Sequence, residues 1–265
     1  MTTVGAADGF ALAVQTGGPP VAPPLLLLPG QANSHRWWDG LREVFEPVFR
    51  TITFDYRGTG DSRGEVGEWG TSLFAADAAA VLVHLGYDEA CVFGTSMGGR
   101  VAQKLAIEHP QRVSALAIGC SAPGGEHAVA RDPAVTRAMG HGDVRQRLRF
   151  LFELFYTPAW PHPLEESTLL GDPSMTRAEK TAHRRGSLAH DAWGELPRIA
   201  ASTLVIHGED DVMTPAANAR LLAERIPGAR LELFPGRHGF FSEYADEVLP
   251  RVREFLATTG VDGGP

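Results

Sequence analysis

Short apolar runs alternate with longer amphipathic segments along most of the chain. The run PLLLLPG, residues 24–30, has no polar position among its leucines, which is typical of a strand covered on both faces of a parallel sheet. Segments 70–85 and 97–109 instead repeat apolar side chains at helical spacing, and Pro110 ends the second of them. This alternation predicts an α/β fold with a mostly parallel central sheet and helices on both faces.

The same spacing rules place the other regular elements. The turn signal AlaAspGly, residues 7–9, joins two strands at 4–6 and 10–16 into an opening β-hairpin. Further strands are expected at 51–54, 90–93, 113–119, 203–207 and 230–234, and further helices at 37–45, 216–225 and 242–257. The strand at 113–119 is then the sixth and the strand at 203–207 the seventh.

One interval is too long for a simple connection. About 80 residues separate the sixth strand from the seventh, whereas ordinary connections in compact domains span a few residues. Within this interval, residues 144–155 have helical spacing and are flanked by glycine and proline. We therefore expect an α/β core in two parts, residues 1–121 and 199–265, with a helical cap formed by residues 122–198 inserted between strands 6 and 7.

Composition narrows the class of partners. The 265 residues carry a formal net charge of -8, which disfavours binding to nucleic acid or to an anionic membrane. The amino-terminal residues lack the cationic start of a signal peptide, and no apolar run is long enough to span a bilayer, so a cytoplasmic location is expected. No nucleotide-binding motif and no set of metal ligands is recognisable, and we expect no cofactor and no metal.

One serine lies where a strand meets a helix. The stretch VFGTSMGGR, residues 92–100, places Ser96 between Gly94 and Gly98. A tight turn of this kind strains its central residue and projects its side chain, so neighbours two positions away must be small. The helix amino terminus that follows favours negative charge. Ser96 is therefore predicted to be a nucleophile whose position suits a tetrahedral oxyanion.

A serine nucleophile needs a histidine to accept its proton and a carboxylate to orient that histidine. The segment GEDDVMTP, residues 208–215, offers Asp210 and Asp211 directly after a strand. The segment PGRHGFF, residues 235–241, offers His238 after the next strand. Serine, aspartate and histidine thus follow one another in the order expected for this architecture, with either aspartate able to serve.

These motifs, with PG at 29–30 and DYRGTGDS at 55–62, resemble those of capped α/β hydrolases over essentially the whole chain. The nearest likeness is to small carboxylesterases and 3-oxoadipate enol-lactonase-like proteins. The resemblance implies that Asp211 is the acid and that the backbone N–H groups of Gln31 and Met97 form the oxyanion hole. The family usually has histidine where this chain has Pro29, a difference that leaves the backbone donor in place.

The resemblance implies a cofactor-independent hydrolase that cleaves a small or medium ester or lactone through an acyl-enzyme, with water as the second substrate. A carbon–carbon bond hydrolase, a thioesterase and a perhydrolase or haloperoxidase-like enzyme use the same triad, and a non-catalytic ligand receptor is a distant alternative. Substrate contacts are expected from five further residues, and the oligomeric state is left open. These residues are Gly30, His35, Trp37, Phe155 and Trp160.

Overall fold

One twisted sheet organises the protein. The computed structural model describes residues 2–260, and residues 261–265 of the predicted second core segment lie outside the described residues. The strands are β1 (Thr2–Gly5), β2 (Ala11–Gly17), β3 (Pro24–Leu28), β4 (Arg50–Phe54), β5 (Ala90–Thr95), β6 (Val113–Gly119), β7 (Ser202–Gly208) and β8 (Arg230–Phe234). Their order in the sheet is β1-β2-β4-β3-β5-β6-β7-β8.

The pairing confirms the predicted topology. The hairpin β1–β2 and the pair β2–β4 are antiparallel. All other neighbours, from β4 through β3, β5, β6 and β7 to β8, pair in parallel. Because parallel strands end at the same edge of a sheet, the loops that follow β5, β7 and β8 lie side by side there. These loops carry the predicted serine, aspartate and histidine.

Helices cover both faces of the sheet, as predicted. They are α1 (Thr71–His84), α2 (Met97–Glu108), α3 (Pro133–Gly140), α4 (Val144–Phe155), α5 (Arg177–Leu188), α6 (Ala217–Arg225), α7 (Phe240–Glu243) and α8 (Ala245–Gly260). Side chains of α1, α2 and α6 bury one face of the sheet, and those of α7 and α8 bury the other. No helix within residues 2–260 is long and apolar enough to cross a membrane.

Strand β3 has apolar side chains on both of its faces because both faces are covered by the core. Leu26 and Leu28 pack into the core on the α1–α2 face, whereas Leu25 and Leu27 pack into the core on the α8 face. All four side chains are fully buried. Burying one leucine stabilises a fold by about 1.5–3 kcal/mol, so an unbroken apolar run is favoured at this central position.

The long interval between β6 and β7 contains α3, α4 and α5. Helix α4 occupies the predicted range, and a capping box fixes its start: Asp143 accepts from the N–H of Gln146, whose side chain accepts in turn from Asp143. Phe155 at the end of α4 is buried in the core cluster on the α8 face. The insertion therefore packs on the sheet domain, and its description as a separate cap of residues 122–198 stays a prediction.

Two predicted helices differ from the structure. The expected helix at 37–45 is wrong: the chain forms two short 3₁₀ turns, His35–Trp38 and Arg42–Val44. Gly40 lies between them with φ 74°, which an α-helix does not accommodate. The apolar spacing that suggested a helix arises because the loop buries its aromatic side chains against the sheet. The helix expected at 242–257 is divided at Tyr244 into α7 and α8.

Candidate active site

Ser96 occupies a strained turn between β5 and α2. Its φ of 56° and ψ of -121° lie outside the regions that non-glycine residues favour. A Cβ atom at Gly98 would lie 2.1 Å from the carbonyl oxygen of Leu28, and one at Gly94 would lie 2.2 Å from that of Gly98. Both contacts are with backbone atoms, so only glycine fits at either position. The sequence spacing around Ser96 thus has the steric cause that was expected.

His238 connects the serine to the aspartate. Its Nε2 lies 3.0 Å from the Oγ of Ser96, and its Nδ1 lies 2.7 Å from the Oδ2 of Asp211. The imidazole is fully buried, whereas Ser96 is half-buried. The structure therefore brings the three predicted side chains into one hydrogen-bonded chain that leads from the acid to the serine hydroxyl.

Four donors surround the carboxylate of Asp211. Its Oδ1 accepts from the backbone N–H groups of Met213 and Thr214, both at 2.8 Å. Its Oδ2 faces two histidine rings, His238 at 2.7 Å and His207 at 3.1 Å. Burial on its own raises the pKa of this carboxyl, but the two rings together hold the pKa below its usual range. Asp211 is thus an anion at neutral pH, while its neighbour Asp210 is exposed.

His207 is a contact of the acid that the sequence did not reveal. The pattern predicts a packed histidine with a hydrogen-bonded ring at the end of β7, and the side chain is fully buried. Its Nε2 lies 2.7 Å from the carbonyl oxygen of Thr214, in addition to its contact with Asp211. The spacing of four residues between His207 and Asp211 across a strand end is the signal that could have suggested this pairing.

The loop that carries His238 is bound to the end of α4. The N–H of His238 donates to the carbonyl oxygen of Leu154 at 3.2 Å, and the N–H of Gly239 donates to that of Phe155 at 2.8 Å. The guanidinium of Arg237 donates to the carbonyl of Tyr156 at 3.2 Å and also to that of Glu153. These bonds satisfy carbonyls that have no partner within the helix. The inserted segment thereby fixes the position of the histidine loop.

The two predicted oxyanion-hole donors are the backbone N–H groups of Gln31, in the loop after β3, and of Met97, the first residue of α2. The missing side chain of Gly98 lets the start of α2 approach the carbonyl oxygens of Leu28 and Pro29, immediately before the loop that contains Gln31. No backbone acceptor in the described part of the chain takes the N–H of Gln31 or of Met97. Both N–H groups thus remain available for a ligand oxygen, and their role in an oxyanion hole stays a proposal.

Three of the five predicted substrate contacts lie together. The indole of Trp37 packs so closely against Gly30 that a Cβ atom there would lie 2.4 Å from the ring. The same indole meets the ring of Phe155 edge-on at 6.0 Å and donates from Nε1 to Thr95 at 2.9 Å. Phe155 in turn contacts the His238 ring edge-on, with centroids 5.0 Å apart. Gly30, Trp37 and Phe155 thus form one apolar wall beside the imidazole.

The other two predicted contacts have different neighbours. The ring Nδ1 of His35 lies 2.8 Å from Asp55, and this hydrogen bond raises the pKa of His35. Trp160 stacks on Tyr156 with centroids 4.5 Å apart. The structure does not bring either side chain into contact with the Ser96–His238 pair among the described hydrogen bonds and ring contacts. Their role in substrate binding stays a prediction.

Other reactive side chains offer no second centre among residues 2–260. No three histidine, cysteine, aspartate or glutamate side chains there are grouped so that they could hold a metal ion. Cys91 and Cys120 are buried and free. Burial raises the pKa of Cys91 to about 11, so this thiol is protonated at neutral pH. The hydroxyl of Thr71 also lies 2.9 Å from a histidine nitrogen, Nδ1 of His190, but the other nitrogen of that ring faces the amide oxygen of Gln103. Among the described nucleophilic side chains, only Ser96 contacts a histidine that a carboxylate orients.

Comparison with known proteins gives consistent matches. A family model described as the alpha/beta hydrolase fold matches residues 23–244. A pimeloyl-[acyl-carrier protein] methyl ester esterase from Nitrosomonas europaea is 31% identical to this protein, and the match covers 80% of this chain and 87% of the esterase chain. The 3-oxoadipate enol-lactonase 2 of Acinetobacter baylyi is 28% identical over 88% of each chain. The structure of an esterase from Exiguobacterium antarcticum superposes with a TM-score of 0.82 at 25% identity, covering 97% of this chain and 98% of that one.

Proposed function

Because the chain belongs to the alpha/beta hydrolase fold family, we propose that it is a serine hydrolase that cleaves a small or medium carboxylic ester or lactone. The observation that supports this proposal most directly is the unbroken hydrogen-bonded chain from Asp211 through His238 to Ser96. An imidazole that contacts both a buried carboxylate and a serine hydroxyl is suited to accept the hydroxyl proton.

In the proposed acylation, the Oγ of Ser96 attacks the substrate carbonyl carbon as the Nε2 of His238 takes its proton. Asp211 accepts from Nδ1–H, keeps the ring in the required tautomer and stabilises the imidazolium. The carbonyl oxygen becomes an oxyanion held by the N–H groups of Gln31 and Met97. The imidazolium then gives its proton to the leaving alkoxide, which departs and leaves an acyl group on Ser96.

Deacylation in this proposal repeats the sequence with water. His238 removes a proton from the water molecule, the resulting hydroxide attacks the acyl carbon, and the second oxyanion occupies the same two N–H groups. Collapse of that intermediate returns the proton from the imidazolium to the Oγ of Ser96 and releases the carboxylic acid. No cofactor enters any step, since His238 supplies both the proton acceptor and the proton donor.

The proposed substrate class draws on the relatives. One relative is a methyl ester esterase and another an enol-lactonase, and both reactions transfer an acyl group to water. The apolar wall of Gly30, Trp37 and Phe155 suits an aliphatic acyl chain. Thioester hydrolysis, carbon–carbon bond hydrolysis and peracid formation would use the same nucleophile and histidine, so a substrate panel separates them from ester cleavage.

An active-site probe tests the nucleophile independently of the natural substrate. A fluorophosphonate should label the wild-type protein at Ser96, and the His238→Ala variant should label far more slowly because its serine lacks a proton acceptor. Mass spectrometry of the labelled peptide identifies the residue. Equal labelling of both proteins, or labelling elsewhere, would contradict the proposal and favour a non-catalytic ligand receptor.

A further inference from the structure

The loop that carries Gln31 contains a residue in an unfavourable backbone conformation. Ala32, the residue after Gln31, has a φ of 56°, in the left-handed region. Among residues 2–260, Ser96 and Cys120 are the other non-glycine residues with a positive φ. An alanine gains nothing from this conformation, which persists where surrounding contacts impose it and is concentrated at functional sites. The contacts of Ala32 therefore show what holds the loop in place.

Both polar atoms of the peptide group between Gln31 and Ala32 are bound by side chains. The N–H of Ala32 donates to the Nδ1 of His183 at 3.3 Å. The carbonyl oxygen of Gln31 accepts from the side-chain amide of Asn33 at 3.0 Å. A peptide group is planar, so hydrogen bonds on its two opposite edges fix its orientation. The Cα atom of Gln31 joins this group to the one that carries the proposed oxyanion donor, and a shift of one peptide group would therefore displace the other.

The insertion binds the same loop at further points. His183 belongs to α5, and two residues before that helix also take part. The backbone N–H of Asp172 donates to the carbonyl oxygen of Ala32 at 2.7 Å, and the N–H of Gly171 donates to the Oδ1 of Asn33 at 3.0 Å. Residues 31–33 are thus attached to the insertion through the N–H of Ala32, its carbonyl and the side chain of Asn33.

The ring of His183 is held as an uncharged acceptor. It is fully buried, and its Nε2 lies 2.8 Å from the carbonyl oxygen of Arg57. A carbonyl only accepts, so Nε2 carries the proton and Nδ1 is left to accept from Ala32. Burial lowers the pKa of His183, which favours the neutral ring. The rings of Trp69 and Phe74 pack against the imidazole with centroids 5.6 and 5.2 Å away.

We propose that His183 and Asn33 are positioning residues, which orient the peptide group after Gln31 so that the N–H of Gln31 points at the oxyanion. The proposal rests on the proposed function, because it concerns the oxyanion hole of the same site. A donor that is already aligned needs no reorganisation as charge develops, and a small displacement of it lowers the rate. The insertion then holds both sides of the reacting carbonyl, His238 through the end of α4 and Gln31 through α5.

Two variants of His183 separate its two hydrogen bonds. His183→Asn places an amide oxygen near the position of Nδ1 and can still accept from Ala32, whereas His183→Gln places an amide N–H near Nε2 and keeps only the bond to Arg57. For the p-nitrophenyl ester that the wild type hydrolyses fastest, kcat of His183→Gln should fall about 10- to 100-fold with little change in KM. His183→Asn should retain most of the wild-type kcat. His141→Gln, at an exposed histidine of the insertion, is the matched control and should behave as the wild type.

A transition-state analogue distinguishes positioning from a general loss of folded protein. An alkyl trifluoromethyl ketone forms a bond between its carbonyl carbon and the Oγ of Ser96, the hydroxyl proton passes to His238, and the ketone oxygen becomes an oxyanion. Its inhibition constant should rise in His183→Gln by about the factor by which kcat/KM falls. A smaller folded fraction would lower the apparent kcat but leave the inhibition constant unchanged, so an unchanged constant would overturn the proposal.

Asn33→Ala provides a second variant in case those of His183 do not fold. It removes the bond to the carbonyl of Gln31 from a loop outside the helices and strands, and it should show the same lower kcat and weaker ketone binding. Wild-type values in a folded His183→Gln or Asn33→Ala, with Ser96 still labelled by the fluorophosphonate, would overturn the positioning role alone. A wild-type protein that neither hydrolyses an ester nor is labelled would overturn the proposed function itself, so the two failures are distinguishable.

Discussion

The backbone N–H of His238 donates to the carbonyl oxygen of Leu154, the penultimate residue of α4. The proposed catalytic histidine is therefore positioned by the inserted segment as well as by the strand that precedes it. On either side of the histidine, the guanidinium of Arg237 donates to the carbonyl oxygen of Tyr156, just after α4, and the backbone N–H of Gly239 donates to that of Phe155. Movement of α4 would carry the imidazole with it, which links the position of the insertion to the alignment of Ser96 and His238.

Replacing Arg237 should loosen this connection. Arg237→Ala leaves the carbonyls of Glu153 and Tyr156 without their charged donor, so the free energy of unfolding should fall by about 1–3 kcal/mol. Ester turnover should fall in kcat more than KM changes, and Arg237→Lys should recover part of the loss. Urea unfolding and steady-state kinetics measure both effects. Arg220→Ala, at an exposed position of α6, is the control, and equal behaviour of the two alanine variants would contradict the positioning role.

The turn around Ser96 should not tolerate a side chain at Gly98. The added Cβ of Gly98→Ala would lie 2.1 Å from the carbonyl oxygen of Leu28. A backbone atom of a central strand cannot give way, so we expect a loss of about 3 kcal/mol or more, at the upper end of overpacking costs. Fluorophosphonate labelling should also be lost. Gly140→Ala, where the new Cβ has nothing within 4 Å, should leave the thermal midpoint nearly unchanged. A stable, fully labelled Gly98→Ala protein would show that the turn is less constrained than the structure indicates.

His207 should support the acid without contacting the substrate. His207→Ala removes one of the two rings that face Oδ2 of Asp211, and we expect kcat to fall about tenfold with little change in KM. His207→Gln places an amide N–H near the same oxygen and should restore part of the rate. Full activity in His207→Ala would assign the histidine to packing alone.

The ionised carboxylate of Asp211 should stabilise the folded protein by an amount that depends on pH. Its pKa in the folded protein is lower than its usual 3.8, so the stabilisation is present above that value and is lost as the pH falls through the folded pKa. Asp211→Asn should therefore be less stable than wild type at neutral pH, with a difference that narrows below pH 3.8. Its turnover should fall by a factor on the order of 10⁴. Asp210→Asn, at the exposed neighbour, is the control for urea unfolding across this pH range.

Local patterns were sufficient to predict the fold and to select Ser96 and His238, whereas the choice of Asp211 over Asp210 came from the family resemblance. The leucines of β3 and the glycines around Ser96 are constrained by their immediate neighbours. Such local constraints produce residue patterns that can be recognised in the sequence. The end of α4 was also predictable, since residues 144–155 repeat their apolar positions at helical spacing and form α4 as expected. Each of these features depends on contacts within one or two elements.

Features that depend on distant segments were not predictable. The contact between Leu154 and His238 joins residues far apart in the chain, and neither residue type signals it. The aromatic positions after residue 36 suggested a helix because Trp37, Trp38 and Phe45 have helical spacing, yet Gly40 and packing against the sheet produce two separate turns.

Turnover of p-nitrophenyl esters of increasing acyl length, run beside an enol-lactone, tests most directly whether Ser96 is the nucleophile of an ester hydrolase. The wild-type protein should hydrolyse at least one of these compounds, and Ser96→Ala, which retains the fold but lacks the hydroxyl, should lose nearly all of that turnover. Turnover that survives undiminished in Ser96→Ala would show that Ser96 is not the nucleophile.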